Sequence, residues 1–121
     1  RVKLHFTNAV LGLKSDGMAA KIKKSDWFKA TANEFIKPLI DIIQPKIIIT
    51  MGKPAYLTLT TIYSLENAPL KFLVENAPIS LSENRFLFPV FHCSGLGQVN
   101  RPILKQKEDW RQMNQFLKRI I

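Results

Sequence analysis

The sequence has a single cysteine, Cys93, and no long apolar run. One cysteine excludes an internal disulfide and any metal site built from several thiolates. A chain that does without disulfides fits the reducing interior of a cell. No apolar run approaches the ~20 residues that a membrane-spanning helix needs. We therefore expect an intracellular protein without a membrane span.

Acidic residues are scarce as well: nine Asp and Glu stand against 18 Lys and Arg, a formal net charge of +9 at pH 7. The basic residues are spread along the chain, which suits a folded surface better than a disordered tail. Such a balance favours a polyanionic partner, with nucleic acid first and an anionic membrane surface second. The sequence contains neither standard glycine-rich phosphate-binding pattern, which argues against an unrelated α/β nucleotide-binding domain.

The length predicts one domain over residues 1–121, large enough for a packed core. An apolar fraction of 46% is ordinary for a globular protein and argues against disorder. The sequence opens at Arg1, directly in a strand-like segment. We therefore expect an earlier element of the fold to precede Arg1, so that residues 1–121 are a fragment of a longer protein.

The hydrophobic pattern predicts strands that alternate with helices. Strands are predicted at residues 2–8, 46–51 and 86–91, and helices at residues 27–43, 53–63 and 105–121. Residues 9–26 and 64–85 are predicted to be mostly irregular. Pro38 either kinks the first helix or begins a second helical segment. Because crossovers between parallel strands are right-handed, this order predicts an α/β fold with three αβα layers around a central parallel sheet.

Two polar residues stand where predicted strands end. Asn8 closes the first strand, and His92 follows the last one, ahead of the glycine-rich segment CSGLG. The carboxyl ends of parallel strands meet at one edge of a sheet, where open α/β folds bind their ligands. The amide and the imidazole can therefore converge on one ligand. The alternative is structural: His92 is a hydrogen-bonded residue at a strand end, and Asn8 is a strand-end cap.

Three segments resemble the uracil-DNA glycosylase superfamily. They are residues 7–11 (TNAVL), residues 44–52 (QPKIIITMG) with Ala55, and residues 92–96 (HCSGL), in the family's order. The resemblance implies a DNA glycosylase that flips uracil or a related damaged or mismatched base out of DNA and hydrolyses its N-glycosidic bond. It implies DNA as the partner, no membrane contact, no metal or other cofactor, a monomer, and a location in the cytoplasm, nucleoid or nucleus. Ala32 stands near the place of a cysteine that binds an iron–sulfur cluster in one branch, so no cluster is expected.

The resemblance also implies roles for individual residues. Asn8 would read the edge of the base, and His92 would hydrogen-bond the uracil carbonyl oxygen as negative charge develops on the departing base. Ser94 would bind a phosphate beside the flipped nucleotide, and Leu96 would be the apolar wedge that fills the vacated space. Further phosphate contacts are expected from the basic residues beyond the loop, Arg101, Lys105 and Lys107. Without the resemblance, Ser94 is a turn residue, Leu96 a core residue and each basic residue a solvated one.

The loop departs from the family pattern at Cys93 and Gly95, which stand where the family usually has proline. We expect a more flexible loop for that reason. The piece Ser-Gly-Leu is closer to the mismatch-specific branch, which lacks the histidine. Cys93 beside His92 suggests a thiol nucleophile, but the resemblance accounts for this position without one.

The family's first motif supplies a water-positioning Asp, Asn or Glu, and we expect it, with the first strand, ahead of Arg1. Asp16 and Asp26 lie in the wrong segment to replace it. Two functions therefore stay open. One is a DNA glycosylase that is active as the full-length protein, with its first motif ahead of Arg1. The other is a catalytically silent DNA-binding relative that keeps the basic surface and the wedge loop.

Overall fold

The computed structural model describes residues 4–7 and 29–120, apart from the side chain of Leu96. The helices are a π-helical turn at Ala32–Ile36 that continues into α1 (Lys37–Ile43), then α2 (Lys53–Ile62), α3 (Leu70–Glu75), α4 (Gly95–Asn100) and α5 (Ile103–Ile120). The strands are β1 (Ile47–Met51), β2 (Ile79–Ser82) and β3 (Arg85–Val90). The fold is mixed α/β, as predicted. No helix in the described ranges has the length and apolar character needed to cross a membrane.

The three strands form one sheet in the order β1–β3–β2. β1 and β3 run parallel, with Ile47 opposite Phe86 and Met51 opposite Val90. β2 runs antiparallel to β3, because a two-residue turn at residues 83–84 joins them directly. The described sheet is therefore only partly parallel, whereas the sequence pattern predicted a fully parallel one.

Helices cover both faces of the sheet, which gives three layers. Successive side chains of β3 point to opposite faces, so Leu87 packs on one side and Phe88 and Val90 on the other. The Leu87 side is filled from the π-helical turn, α1, α2 and α3, by Ile36, Ile40, Tyr56, Leu59 and Leu73. The opposite side is filled from α5 by Met113 and Phe116. Truncating a residue as buried as Leu87 to Ala typically costs about 2–5 kcal/mol.

The first helix widens just before Pro38. The backbone N–H of Lys37 donates to the carbonyl of Ala32, five residues back, which is the π-helical spacing. Proline has no N–H, and its ring clashes with the carbonyl four residues back, so a wider turn relieves both problems. Pro38 then lies in the first turn of α1. Of the two expectations for Pro38, the structure is nearer the second: Pro38 lies in the first turn of α1, but the helix runs through this point without a break because Ile36 and Lys37 both have helical backbone angles.

Pro89 lies in the central strand, a position that proline usually avoids. The N–H of Phe86 donates to the Lys46 carbonyl and the Val90 carbonyl accepts from Gly52, so even-numbered residues of β3 bond to β1. The nitrogen of Pro89 therefore points away from β1, towards the side of β2. β2 pairs with β3 only as far as Leu87, so Pro89 removes no hydrogen bond between the three described strands.

Two predicted segments differ from the structure. In the strand predicted at residues 2–8, the described residues 4–7 have no strand conformation, and Leu4 and Phe6 are exposed. Alternating polarity predicts a strand only where a neighbour pairs with the backbone, and no described strand pairs with residues 4–7. Residues 64–85 contain α3 and β2, and the irregular structure predicted there is confined to residues 64–69, 76–78 and the turn at 83–84. Pro69 is the N-cap of α3 and Pro78 directly precedes β2, so both prolines flank regular elements.

Candidate active-site loop

β3 delivers the candidate histidine to the carboxyl edge of the sheet. The strand ends at Val90, Phe91 is half-buried and His92 is exposed. The N–H of Gly52, which follows β1, donates to the Val90 carbonyl at 2.8 Å. The ends of the two parallel strands are therefore tied together, and the loop starts from a rigid base.

The imidazole of His92 is held by its own loop. The backbone N–H of Ser94 donates to Nδ1 of His92 at 3.2 Å. A ring nitrogen that accepts a hydrogen bond carries no proton, so this bond assigns the proton of the neutral ring to Nε2. His92 is therefore a hydrogen-bond donor at Nε2, with its tautomer and orientation set by the Ser94 backbone.

Ser94 also begins α4. Its backbone is extended, with φ −68° and ψ 169°, and its Oγ accepts from the N–H of Gly97 at 3.4 Å. The Ser94 carbonyl accepts from the N–H of Gln98 at 3.0 Å. This is the geometry of a serine N-cap. The exposed hydroxyl keeps its own O–H as a donor, so the cap is compatible with the phosphate contact predicted for Ser94.

The backbone of α4 packs on the backbone of His92. A Cβ added at Gly97 would lie 1.7 Å from the His92 carbonyl oxygen, whereas one added at Gly95 would meet nothing within 4 Å. Glycine is thus required at 97 by close approach and not at 95. The sequence showed both glycines beside Leu96 without distinguishing them. Leu96 belongs to α4, and the wedge predicted for its side chain stays a prediction.

Behind the loop, Arg101 forms a buried ion pair with Asp109 of α5. Its Nε and Nη2 lie 2.6 Å and 2.7 Å from the two carboxylate oxygens of Asp109. Arg101 is only 7% exposed, and its Cζ lies 5.7 Å from the ring centroid of Phe91. The hydrogen bonds to Asp109 raise the pKa of the Arg101 guanidinium, although burial opposes this shift.

This geometry changes how we interpret Arg101. The sequence placed it among the phosphate contacts with Lys105 and Lys107, but the Asp109 carboxylate binds the Nε–Nη2 edge of its guanidinium, and its Nη1 lies 3.6 Å from Oε1 of Glu75. Lys105 and Lys107 are exposed on α5, where a phosphate can reach them. Asp109 was missed by sequence reasoning. Arg101 lies between α4 and α5, eight residues before Asp109, and this separation gives no periodic signal that pairs the two residues.

Two residues singled out in the sequence remain, Cys93 and Asn8. Cys93 is an exposed free thiol beside His92, and its carbonyl accepts from Nε2 of Gln98 at 3.1 Å. Asn8 lies outside the described residues, so its convergence with His92 stays a prediction. Within the described ranges, no group of three His, Cys, Asp or Glu side chains is arranged to hold a metal ion.

Comparison with known families gives one match. A sequence model of the uracil DNA glycosylase superfamily matches residues 2–118. This span contains the three segments that carried the resemblance and also α5 as far as Lys118. Comparisons with curated proteins and with solved structures found no match.

Proposed function

Because this chain belongs to the uracil DNA glycosylase superfamily, we propose that it is a DNA glycosylase. It would flip uracil or a related damaged or mismatched base out of DNA and hydrolyse the N-glycosidic bond. The observation that supports this proposal best is the hydrogen bond from the Ser94 backbone to Nδ1 of His92. It leaves a fixed Nε2–H donor on an exposed ring at the carboxyl edge of the sheet.

The proposed chemistry needs a donor where charge develops. When the bond between base and sugar breaks, the base leaves with negative charge on its carbonyl oxygen. A preoriented neutral donor stabilises that charge without reorganising at the moment of reaction, an effect of about 2.7–4 kcal/mol for one donor. In this proposal His92 supplies the donor, and water adds its hydroxyl group to the sugar carbon of the broken bond while its proton goes to the departing base. The reaction needs no metal or redox cofactor.

The remaining roles concern DNA. We propose that Asn8 reads the base edge, that Leu96 enters the stack and that Ser94 binds a phosphate. Lys105 and Lys107 would add phosphate contacts from the first turns of α5, and the formal charge of +9 attracts the duplex. Arg101 leaves this set because its charge is paired with Asp109.

The test is base excision by the full-length protein. Oligonucleotides with uracil, hypoxanthine, a G·T pair or a G·U pair would be offered, with uracil in both single and double strands. We expect abasic product from at least one of them, and a large loss in Asn8→Ala beside an unchanged Asn114→Ala, an exposed amide on α5. No product from any substrate, with salt-sensitive DNA binding retained, would overturn the enzyme proposal and leave the catalytically silent DNA-binding relative.

A further inference from the structure

One buried side chain closes the loop that carries His92. The loop leaves the sheet at Phe91 and ends at Arg101, directly after α4. The Arg101 guanidinium lies over the Phe91 ring and binds Asp109 of α5. It therefore joins the entry and the exit of the loop to each other and to the helix that packs on β3.

The ion pair between Arg101 and Asp109 has a well-defined geometry. It has two parallel hydrogen bonds, which define the orientation of both planar groups. The side chains of Arg101 and Asp109 are 8% and 10% exposed, so water does not compete for them. By contrast, Glu108 and Arg111 form an ion pair on the same helix whose side chains are 46% and 64% exposed. Exposed pairs of that kind contribute little to structure.

The backbone of Arg101 is held as firmly as its side chain. Its carbonyl accepts from Nε2 of Gln106 at 2.9 Å, and Gln106 is 3% exposed. Its N–H donates to the carbonyl of Gly97 at 2.9 Å, and Gly97 lies against the His92 backbone. A continuous series of contacts thus runs from Asp109 through Arg101 and Gly97 to His92.

From these contacts we propose that Arg101 and Asp109 are positioning residues for His92, a role that rests on the proposed function of that histidine. The pair holds the loop so that the Ser94 N–H stays on Nδ1 and the Nε2–H keeps one direction. The Arg101–Asp109 pair restricts the motion of a loop that contains Gly95 and Gly97. This loop has Cys93 and Gly95 where the family usually has proline. Neither Arg101 nor Asp109 contacts the base or the DNA.

The first test needs no substitution. In the parent protein, backbone amide order parameters for residues 92–100 should reach about 0.85, as in α5, and His92 should show the ¹⁵N signature of the Nε2–H tautomer. Order parameters below about 0.6 for this segment, with α5 rigid, would overturn the proposal. This measurement does not depend on activity, so it separates failure of the positioning role from failure of the proposed function.

The second test uses Arg101→Lys and Asp109→Asn, with Arg111→Lys as the matched control on the exposed pair. Lysine keeps the charge at 101 but loses the two-pronged geometry. At saturating DNA and at a temperature where each variant is folded, we expect single-turnover excision to fall about tenfold to a hundredfold. DNA affinity should change less than about threefold, because the paired guanidinium is not a phosphate contact.

The same variants should lower the order parameters of residues 92–100 and weaken the His92 tautomer signature, while Arg111→Lys changes neither. Folded variants that excise at the parent rate with an unchanged loop would show that the pair serves stability alone. Variants that bind DNA more weakly but excise at the parent rate would show that Arg101 contacts a phosphate. Either result contradicts the proposal.

Discussion

Gly97 lies so close to His92 that a Cβ at position 97 would be 1.7 Å from the His92 carbonyl oxygen. Non-bonded atoms normally stay about 3.5–4.0 Å apart, so any side chain at 97 must displace either the first turn of α4 or the backbone that carries the imidazole. The backbone of His92, the proposed catalytic residue, is thus held in position by its contact with α4, which belongs to the same loop.

Gly97→Ala should therefore damage both stability and excision. Overpacking of this kind costs about 1–3 kcal/mol, and a shift of His92 should lower the excision rate by about a hundredfold. Gly95→Ala is the matched control, because nothing lies within 4 Å of its Cβ position; it should leave excision intact and change stability by less than about 1 kcal/mol. Urea unfolding and single-turnover excision measure the two effects. Equal free energies of unfolding and equal excision rates in the two variants would contradict the close approach of Gly97 to His92.

The approximate places of β1, α2, β3 and α5 were predictable from the sequence because each has a strong hydrophobic period or a Gly or Pro at its end. The placement of His92 directly after a buried strand followed from the same pattern. Side-chain pairing was not predictable. Charge in a sequence does not report burial, so Arg101 was read as a DNA contact when it is an interior ion pair.

Packing details were missed for a similar reason. In the helix predicted at residues 105–121, the spacing of apolar residues places Trp110, Met113, Leu117 and Ile120 on one face, which contains Met113 but not Phe116. Phe116 makes edge-on contacts with Phe86 and Phe88, at 4.9 Å and 5.4 Å between ring centroids. The spacing of apolar residues locates the buried face of a helix only to within one neighbouring residue. Which side chain is buried depends on the strand that the helix packs against.

Thr50 of β1 offers a test of the core. It is 4% exposed, and its Oγ1 has no hydrogen-bond partner within the described part of the chain. A buried hydroxyl without a partner is unfavourable, so Thr50→Val should raise the free energy of unfolding by about 1 kcal/mol. Thr58→Val is the control: its hydroxyl donates to the Pro54 carbonyl at 3.2 Å, so the same substitution should lower stability by about 1 kcal/mol. Urea unfolding measures the free energy of unfolding of each variant. A Thr50→Val variant less stable than the parent would contradict the assignment of the Thr50 hydroxyl as a buried group without a hydrogen-bond partner.

Tyr56 should make the fold sensitive to alkaline pH. Burial, with a smaller contribution from the charge of Glu66, raises the pKa of the Tyr56 phenol above its ordinary value of 10.0. The unfolded chain then loses the phenol proton at a lower pH than the folded chain does. The stabilisation from Tyr56 is therefore complete below about pH 10 and declines as pH rises through the folded-state pKa.

Tyr56→Phe removes this titration together with the hydrogen bond to the Glu66 carbonyl at 2.5 Å. We expect the variant to be less stable than the parent at neutral pH, by about 1 kcal/mol. The difference should shrink between pH 9 and pH 11 as the unfolded parent ionises. Urea unfolding across that range measures it. A difference that stays constant or grows would mean that the phenol is not protected by burial.

The most direct test of His92 is the single-turnover rate of uracil excision by His92→Ala at saturating DNA, with His5→Ala as the control at the only other histidine. We expect the rate to fall at least about a hundredfold in His92→Ala, equivalent to about 2.7 kcal/mol of transition-state stabilisation. DNA affinity and the His5→Ala rate should stay near those of the parent. If His92→Ala excises uracil as fast as the parent does, His92 does not stabilise the departing base, and its hydrogen bond to Ser94 serves only the loop.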